Sequence, residues 1–290
     1  MRALVLSGGG SKGSYQAGVI KQLLLEKNIN YDIVCGISVG AINAAGLLKY
    51  PDIRDSQKWL EDLWLKNVDK TSVFKHRSIT NIIKTLWKKS FYNSSPLHAL
   101  IRQNIHQSEI LNSGKKLAVG AVCLDTGEYH YATGEDSNIQ DWIIASASYP
   151  MFMDAVEIDG KLWADGQLKH VTPMRQAIKM GATELDVVLC SNFDDHPWMS
   201  SAKSHIPEQF IRTLDLMTCE IMSADVKFLK LKNWMVAAGT PTDIPYKKIK
   251  ARIIMPKSEL ISNSLDFSKK EIKRMFEIGL NLNNSVIVEL

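Results

Sequence analysis

The sequence predicts an α/β fold with a mainly parallel sheet, and the beginning of the chain carries the observations that predict it. Arg2–Leu6 is a short apolar run with the length and composition of a buried strand. A glycine-rich loop over 7–13 follows, and then a helix from about 14 to 27 with its apolar residues on one stripe. Residues 31–35 form a second buried run. Because a helix joins the two strands, they are expected to pair in parallel.

The middle of the chain predicts more helices and a return to the sheet. An alanine-rich helix after the second strand ends before Pro51. Short helices are expected around 52–66, 78–89 and 96–106. The run 117–124 resumes the sheet, and Asp125-Thr126-Gly127 turns it back into a hairpin with 129–132. A helix over about 138–147 ends at Pro150.

The last part of the chain predicts one hairpin, two strands and three helices. Asp159-Gly160 joins 156–158 to 162–164 in a hairpin. The remaining elements are a helix opening near Pro173, a strand over 185–190, a helix over about 207–237, a last strand over 253–255 and a closing helix over 268–280. In the long helix, apolar residues recur at steps of four and three, which predicts a core-facing stripe. Its members are Phe210, Leu214, Met217, Ile221, Ala224, Phe228, Leu231 and Met235.

Composition excludes several classes of protein. With 290 residues, 45% of them hydrophobic and 23% charged, the chain is neither collagen-like, coiled-coil nor disordered. Since no repeat or linker is evident, a single domain over 1–290 is expected. The most apolar stretch, 34–48, is shorter than the roughly 18 residues that a spanning helix needs. Neither a targeting segment nor a membrane span is expected. The four cysteines lie in apolar runs without metal-ligand spacing, which indicates reduced thiols, no metal and a cytoplasmic protein.

A basic helical insertion is predicted at about 52–116. Between residues 58 and 116 there are eleven Lys or Arg and four acids, a net +7 against +4 for the whole chain. Aromatic residues alternate with these charges. Two interpretations remain open, namely peripheral contact with an anionic membrane, and a solvated helical face with its tryptophans in the core. The mild overall charge gives no reason to expect nucleic acid.

The glycine loop is the first motif that carries chemistry. Gly8, Gly10 and Gly13 satisfy G-x-G-x-x-G after a strand and at the start of a helix. Adjacent glycines expose backbone N–H groups at a helix N-terminus, where an anion is stabilised. The anion could be a dinucleotide pyrophosphate or an oxyanion formed during acyl transfer.

The second motif favours acyl transfer. A dinucleotide site needs an acid at the end of the second strand, but Asp32 lies at its start. The end of that strand carries Gly36-Ile37-Ser38-Val39-Gly40, which is G-x-S-x-G at a strand-to-helix turn, the setting of a nucleophile elbow. Too little sheet precedes Ser38 for an α/β-hydrolase, and the seven histidines share no motif with it.

Three segments in this order resemble the patatin-like phospholipase family. They are 7–18 with its run of three consecutive glycines, 36–44 with Ser38, and 145–150 leading to Asp159-Gly160 and Asp165-Gly166. The resemblance extends over most of the chain and is thinnest over about 52–90 and 192–206. It implies a three-layer α/β/α sandwich with a mainly parallel central sheet.

The resemblance also implies the site residues. Ser38 is the nucleophile and Asp165 the base of a dyad that needs no histidine, metal or cofactor, with Gly36 and Gly40 forming the elbow. The oxyanion hole is assigned to the glycine loop, chiefly to the amides of Gly9 and Gly10. Its full set of candidate residues is Gly8, Gly9, Gly10, Lys12 and Gly13. Beside the base lie Gly166 and Gln167, and Gln167 stands where the family usually has Gly or Ala.

The implied function is hydrolysis of lipid acyl esters, of the phospholipase A or lysophospholipase type, through an acyl-enzyme. The substrate would be a phospholipid or another acyl-ester lipid, and the enzyme would be cytoplasmic or peripheral at a membrane surface. The unusual Gln167 keeps a second function open, a catalytically weak lipid-binding or regulatory module. A dinucleotide-dependent enzyme is disfavoured by the elbow. The sequence leaves the oligomeric state open, and one end of the long helix could line an acyl channel or a dimer contact.

Overall fold

A computed structural model describes residues 1–26, 28–76, 90–193, 205–240, 247–261 and 263–290. Its strands are β1 (Arg2–Leu6), β2 (Ile33–Gly36), β3 (Lys75–His76), β4 (Tyr92–Asn93), β5 (Lys116–Cys123), β6 (Tyr129–Thr133), β7 (Val156–Ile158), β8 (Lys161–Asp165), β9 (Glu184–Val188), β10 (Lys250–Pro256) and β11 (Ser285–Glu289). Its α-helices are α1 (Gly13–Lys21), α2 (Val39–Gly46), α3 (Ile53–Asp62), α4 (Lys70–Val73), α5 (Ser95–Asn104), α6 (Gln107–Asn112), α7 (Ile139–Ser146), α8 (Met174–Lys179), α9 (Ile206–Ala237) and α10 (Lys269–Leu280).

Nine of the described strands form one sheet in the order β11-β10-β9-β1-β2-β5-β8-β7, with β6 paired to β5. The pairs that join β10, β9, β1, β2 and β5 in turn are parallel, and the other pairs of this sheet are antiparallel. The predicted α/β class with a mainly parallel sheet is therefore confirmed. The sheet places the carboxyl ends of β1, β2 and β9 at one edge, where open α/β sheets bind ligands.

Helices cover both faces of the sheet. Alternate residues of β1 point to opposite faces, so Leu4 and Leu6 pack with α1, α2, α7 and α10, while Ala3 and Val5 pack with α8 and α9. The α1–α10 crossing is close because of two glycines. A Cβ on Gly18 would lie 2.3 Å from the carbonyl oxygen of Phe276, and one on Gly279 would lie 2.2 Å from that of Tyr15.

Several predicted elements differ from those observed. The strand at 253–255 is not the last, because β11 follows it and closes the sheet edge against β10. The helix predicted at 78–89 lies outside the described residues. In the Asp159-Gly160 hairpin, both residues have positive φ, 50° and 72°, as its tight turn requires.

The predicted core stripe of α9 is wrong. Met217 and Leu231 are 60% and 53% exposed, whereas the residues of this helix that the structure describes as buried are Cys219, Met222, Ser223, Val226, Leu229 and Asn233. The predicted and the buried residues lie on adjacent faces of the helix, and the sheet packs against the face of the buried residues. The side chain of Phe210 lies outside the described residues.

No helix in the described parts of the chain is long and apolar enough to cross a membrane. The four cysteines are buried and unpaired, as the sequence predicts.

Candidate active site

Ser38 occupies a strained turn between β2 and α2. Its φ of 56° and ψ of −127° are unusual for a residue with a side chain. The flanking glycines are required by close contact, since a Cβ on Gly36 would lie 2.0 Å from the carbonyl oxygen of Gly40. A Cβ on Gly40 would in turn lie 2.5 Å from that of Leu6. The sequence thus builds an elbow that projects the Ser38 side chain from the sheet edge.

Asp165 ends β8 and is completely buried. One of its oxygens, Oδ1, accepts a hydrogen bond of 2.8 Å from the amide of Gln167. The other, Oδ2, has no hydrogen-bond partner of ordinary geometry among the described residues. Burial raises the pKa of Asp165 to about 7, and interactions with the Ser38 side chain and the Gln167 amide lower it in part. The Asp165 carboxyl therefore lies close to the Ser38 side chain.

The glycine loop offers free amides beside this pair. Among the described residues, none accepts a hydrogen bond from the backbone N–H of Gly8, Gly9 or Gly10. The loop is held by its neighbours: Ser11 donates to the carbonyl of Ser264, and a Cβ on Gly10 would lie 2.3 Å from that same oxygen. These amides can stabilise a developing oxyanion.

The amides of Lys12 and Gly13 donate to other groups of the loop, so of the candidate residues only Gly8, Gly9 and Gly10 keep free amides among the described residues. The amide of Lys12 donates to Gly9, and that of Gly13 donates to Gly10 and Ser11. The Lys12 ammonium is buried and lies 2.6 Å from Glu259 Oε1. Burial acts to lower the pKa of Lys12, but the negative charges around it raise the value overall, so the ammonium stays charged. Both residues support the loop.

A buried polar network fixes the loop against the elbow. Asn43 in α2 donates to the carbonyl of Gly13 and to Gln16, and accepts a hydrogen bond from Trp64. The amide of Ser38 donates to Ser146 Oγ at 3.0 Å. Sequence reasoning assigned no role to Asn43, Gln16 or Ser146, although each lies inside a motif segment. A polar residue within an apolar, closely packed helix is the signal that could have indicated them.

The cavity at Ser38 is lined by both apolar and polar residues. The residues between 39 and 100 that line it are all apolar: Val39, Ile42, Leu63, Trp64, Val68, Val73, Leu97 and Leu100. The polar side chains that line it include Lys12, Gln167, Ser191, Asp215 and Thr218, while Leu214 and Met222 line it from the same helix as Thr218. No histidine lines the cavity among the described residues. The cavity can therefore accept both an apolar chain and a polar group.

The cysteine beside the glycine loop is not an activated thiol. Cys190 packs against Gly9, but burial raises the pKa of its thiol to about 12, which keeps it protonated at neutral pH. The described residues contain no cluster of three or more His, Cys, Asp or Glu side chains that could hold a metal ion.

The sequence model of the patatin-like phospholipase family matches residues 4–178, a segment that contains the glycine loop, the elbow and Asp165. The chain belongs to this family. Its fold is accordingly the patatin fold, and family membership supports phospholipase or lipid acyl hydrolase activity at the level of the family.

Two relatives, one from a bacterium and one from mouse, are named phospholipases. The chain is 25% identical over 183 residues to a cGAMP-activated phospholipase of Pseudomonas aeruginosa, covering 59% of this chain and 53% of that protein. It is 24% identical over 206 residues to the mouse calcium-independent phospholipase A2-gamma, covering 61% and 26% of the two chains. The alignments thus span about half or less of these relatives. The structure of VipD from Legionella pneumophila aligns with 99% of this chain and 68% of that chain, at 12% identity and a TM-score of 0.41.

Within this patatin fold, the structure brings together most of the residues that the sequence motifs indicate. Ser38, Asp165, Gln167 and the free amides of the glycine loop meet at one edge of the sheet, although Ser38 and Asp165 are far apart in the chain. Gly166 follows Asp165 and packs closely against β5. A Cβ on Gly166 would lie 2.4 Å from the carbonyl oxygen of Gly120, so the position requires a glycine.

Proposed function

We propose that this protein hydrolyses lipid acyl esters through a Ser38–Asp165 dyad. The observation that supports it best is the buried Asp165 carboxyl, with a pKa of about 7, facing a serine on a strained elbow. Such a carboxylate is a far better base at neutral pH than an exposed aspartate, whose pKa is about 3.9. The apolar residues that line the cavity suit an acyl chain, so the expected substrate is a lipid ester.

The chemistry follows from this arrangement. Ser38 Oγ attacks the ester carbonyl while Asp165 takes the hydroxyl proton, and the amides of Gly9 and Gly10 stabilise the oxyanion. The tetrahedral intermediate collapses, and the alcohol leaves with the proton returned from Asp165. Water then attacks the acyl-enzyme with Asp165 again as base. This second half releases the fatty acid and restores the Ser38 hydroxyl.

A fluorophosphonate probe tests the nucleophile, since only an activated serine reacts covalently with it. We expect the wild type to be labelled at Ser38 and to hydrolyse p-nitrophenyl octanoate. Ser38→Ala should lose labelling and nearly all turnover. Asp165→Asn should lose nearly all turnover while remaining folded, and wild-type turnover in that variant would exclude the dyad. The matched control is Ser264→Ala, because Ser264 lines the cavity and its contacts with the glycine loop run through its backbone carbonyl.

The same probe decides the alternative that Gln167 motivates. A catalytically weak lipid-binding module would bind lipid vesicles or a fluorescent fatty acid but leave the probe unreacted. Labelling of the wild type at Ser38 would reject that alternative.

We propose further that the protein meets anionic membrane at the rim of this cavity. Phe91 and Met151 are exposed and adjacent, since the Phe91 amide donates to the Met151 carbonyl at 2.7 Å, and the next residue, Phe152, lines the cavity. The net positive charge of the sequence over 58–116 favours anionic lipid. The other interpretation of this segment, with its aromatic residues in the core, is supported by Trp64 and Phe74, which are buried. Trp87 lies outside the described residues.

Vesicle sedimentation at low salt tests this contact. Binding to vesicles with anionic lipid should exceed binding to neutral ones and should weaken in Phe91→Ser. Leu111→Ser is the control, because Leu111 is exposed to a similar degree and lies outside the cavity lining. Equal binding to both vesicle types would contradict the proposal.

A further inference from the structure

Gln167 connects the base, the glycine loop and the long helix α9. Its backbone amide donates to Asp165 Oδ1 at 2.8 Å. Its side-chain Nε2 donates to Thr218 Oγ1 on α9 at 3.1 Å. Because the side chain is anchored at its far end, it lies across the space between the base and α9 in one fixed direction.

The other end of the carboxamide closes the space beside the nucleophile. A Cβ on Gly8 would lie 1.9 Å from Gln167 Oε1 and 3.1 Å from the Cβ of Ser38. The amide oxygen and the nucleophile therefore flank the same small volume above the Gly8 backbone. Any group of a substrate that entered this volume would have to displace the Gln167 side chain.

Gln167 and Thr218 are among the polar residues that line the cavity. Ser191 and Asp215 also line it, and burial raises the pKa of the Asp215 carboxyl. The lining residues between 39 and 100 are all apolar. An acyl chain suits these apolar residues, which leaves the polar side chains around Gln167 for the alcohol portion of the ester.

We propose that Gln167, held by Thr218, is a specificity-determining residue that limits the bulk of the alcohol portion of the ester. The inference rests on the proposed ester hydrolysis and adds to it the identity of the group that the site selects. Small alcohol portions fit beside the fixed carboxamide, while bulky ones collide with it. Shape selection of this kind in a closed site changes kcat/KM by about tenfold or more.

The hydrogen bond to Thr218 holds the Gln167 side chain in place. A free glutamine side chain has several rotamers and could swing away from a bulky group at little cost. The bond removes that freedom. Thr218→Val keeps the shape of the residue and removes the acceptor, so it should release the carboxamide without emptying the space.

The test compares two octanoate esters that share an acyl chain. One is ethyl octanoate, with a small alcohol, and the other is monooctanoyl glycerophosphocholine, with a bulky one. The ratio of kcat/KM for the bulky ester to that for the small ester should rise about tenfold in Gln167→Ala. It should rise in the same direction, by a smaller factor, in Thr218→Val.

Thr213→Val is the matched control, because Thr213 lies on the same helix and its hydroxyl donates to the carbonyl of Gln209 at 2.9 Å, away from Gln167. Its ratio should equal that of the wild type. An unchanged ratio in both Gln167→Ala and Thr218→Val would overturn the inference. A changed preference of Gln167→Ala for acyl-chain length, among esters of the same alcohol, would also overturn it, because Gln167 would then contact the acyl chain.

The outcome separates the two proposals. If the wild type neither reacts with the fluorophosphonate probe nor hydrolyses either ester, the proposed function has failed. If Ser38 is labelled and both esters are hydrolysed with the same ratio in every variant, only the inference about Gln167 has failed. Thermal midpoints of the variants show that each is folded before its ratio is compared.

Discussion

Replacing Asp165 with asparagine should stabilise the protein at alkaline pH while abolishing its activity. The buried carboxyl has a pKa of about 7 in the folded protein, against 3.8 for an ordinary aspartate. Asparagine keeps the Oδ1 acceptor for the Gln167 amide and carries no charge to bury. The other carboxyl oxygen, Oδ2, has no hydrogen bond to a described residue that the substitution would break.

The expected size follows from the linkage between proton binding and folding. Below about pH 4 the aspartate is protonated in both states, so its charge costs no stability. Between pH 4 and 7 the unfolded chain loses the proton while the folded protein keeps it, and stability falls. Above pH 7 the cost is constant. At about 1.4 kcal/mol for each pKa unit, the shift corresponds to roughly 4 kcal/mol at pH 8.

Urea unfolding of the wild type and of Asp165→Asn at pH 5 and pH 8 measures the effect. The gain in the variant should be larger at pH 8 than at pH 5, by roughly 3 kcal/mol, because the wild type has lost only part of its stability at the lower pH. The control is Ser38→Ala. It should also abolish activity, but it leaves the buried carboxyl in place and should give no such gain.

A gain that is the same at both pH values would refute the reasoning, since it would mean that Asp165 does not titrate between them. A loss of stability at pH 8 would mean that the charged carboxylate is stabilised by contacts in the folded protein. Either result would also remove the pKa argument for Asp165 as a base at neutral pH.

Three further predictions concern the base, the loop and the helix crossing. The wild-type kcat/KM, measured by chromatography of the ester, should fall about tenfold from pH 6 to pH 5 and level off above pH 8. The reason is that Asp165 must be ionised to act as a base, so a flat profile would contradict this prediction. Lys12→Met should lower the free energy of unfolding in urea by roughly 3–5 kcal/mol by leaving Glu259 buried without its partner, and adding Glu259→Leu should restore most of the loss. Gly18→Ala should cost about 2 kcal/mol or more in the same assay because the new methyl group meets the backbone of α10. Gly114→Ala, with a φ of 67° and open space around it, should cost only about 1 kcal/mol, so equal losses would contradict the steric argument.

The predicted elements agree best with the structure where a local pattern was strong. The strand Arg2–Leu6 has the predicted boundaries, and the Asp159-Gly160 turn has the backbone that its residues favour. The edge strand β11 was not predicted, although it is as long as β1. Its place in the sheet depends on pairing with β10.

The long helix α9 shows a different limit. Its sequence contains two adjacent apolar stripes, and periodicity alone gave preference to the one that includes Met217 and Leu231. The sheet packs against the other stripe, which includes Met222 and Val226. Hydrophobic spacing identifies helical faces, but the surface offered by β1, β9 and β10 selects between them.

The sequence by itself determined the parts of the site whose requirements are local. A nucleophile elbow needs glycines two residues either side of Ser38, and free amides need a glycine loop after a strand, so short segments carry both signals. The family resemblance implied the pairing of Ser38 with Asp165, but how residues from distant parts of the chain meet depends on the tertiary structure. It brings Asp165 to Ser38, Glu259 to Lys12 and Thr218 to Gln167. Those meetings depend on the order of strands in the sheet and on which face of α9 is buried, and neither is encoded within any one segment.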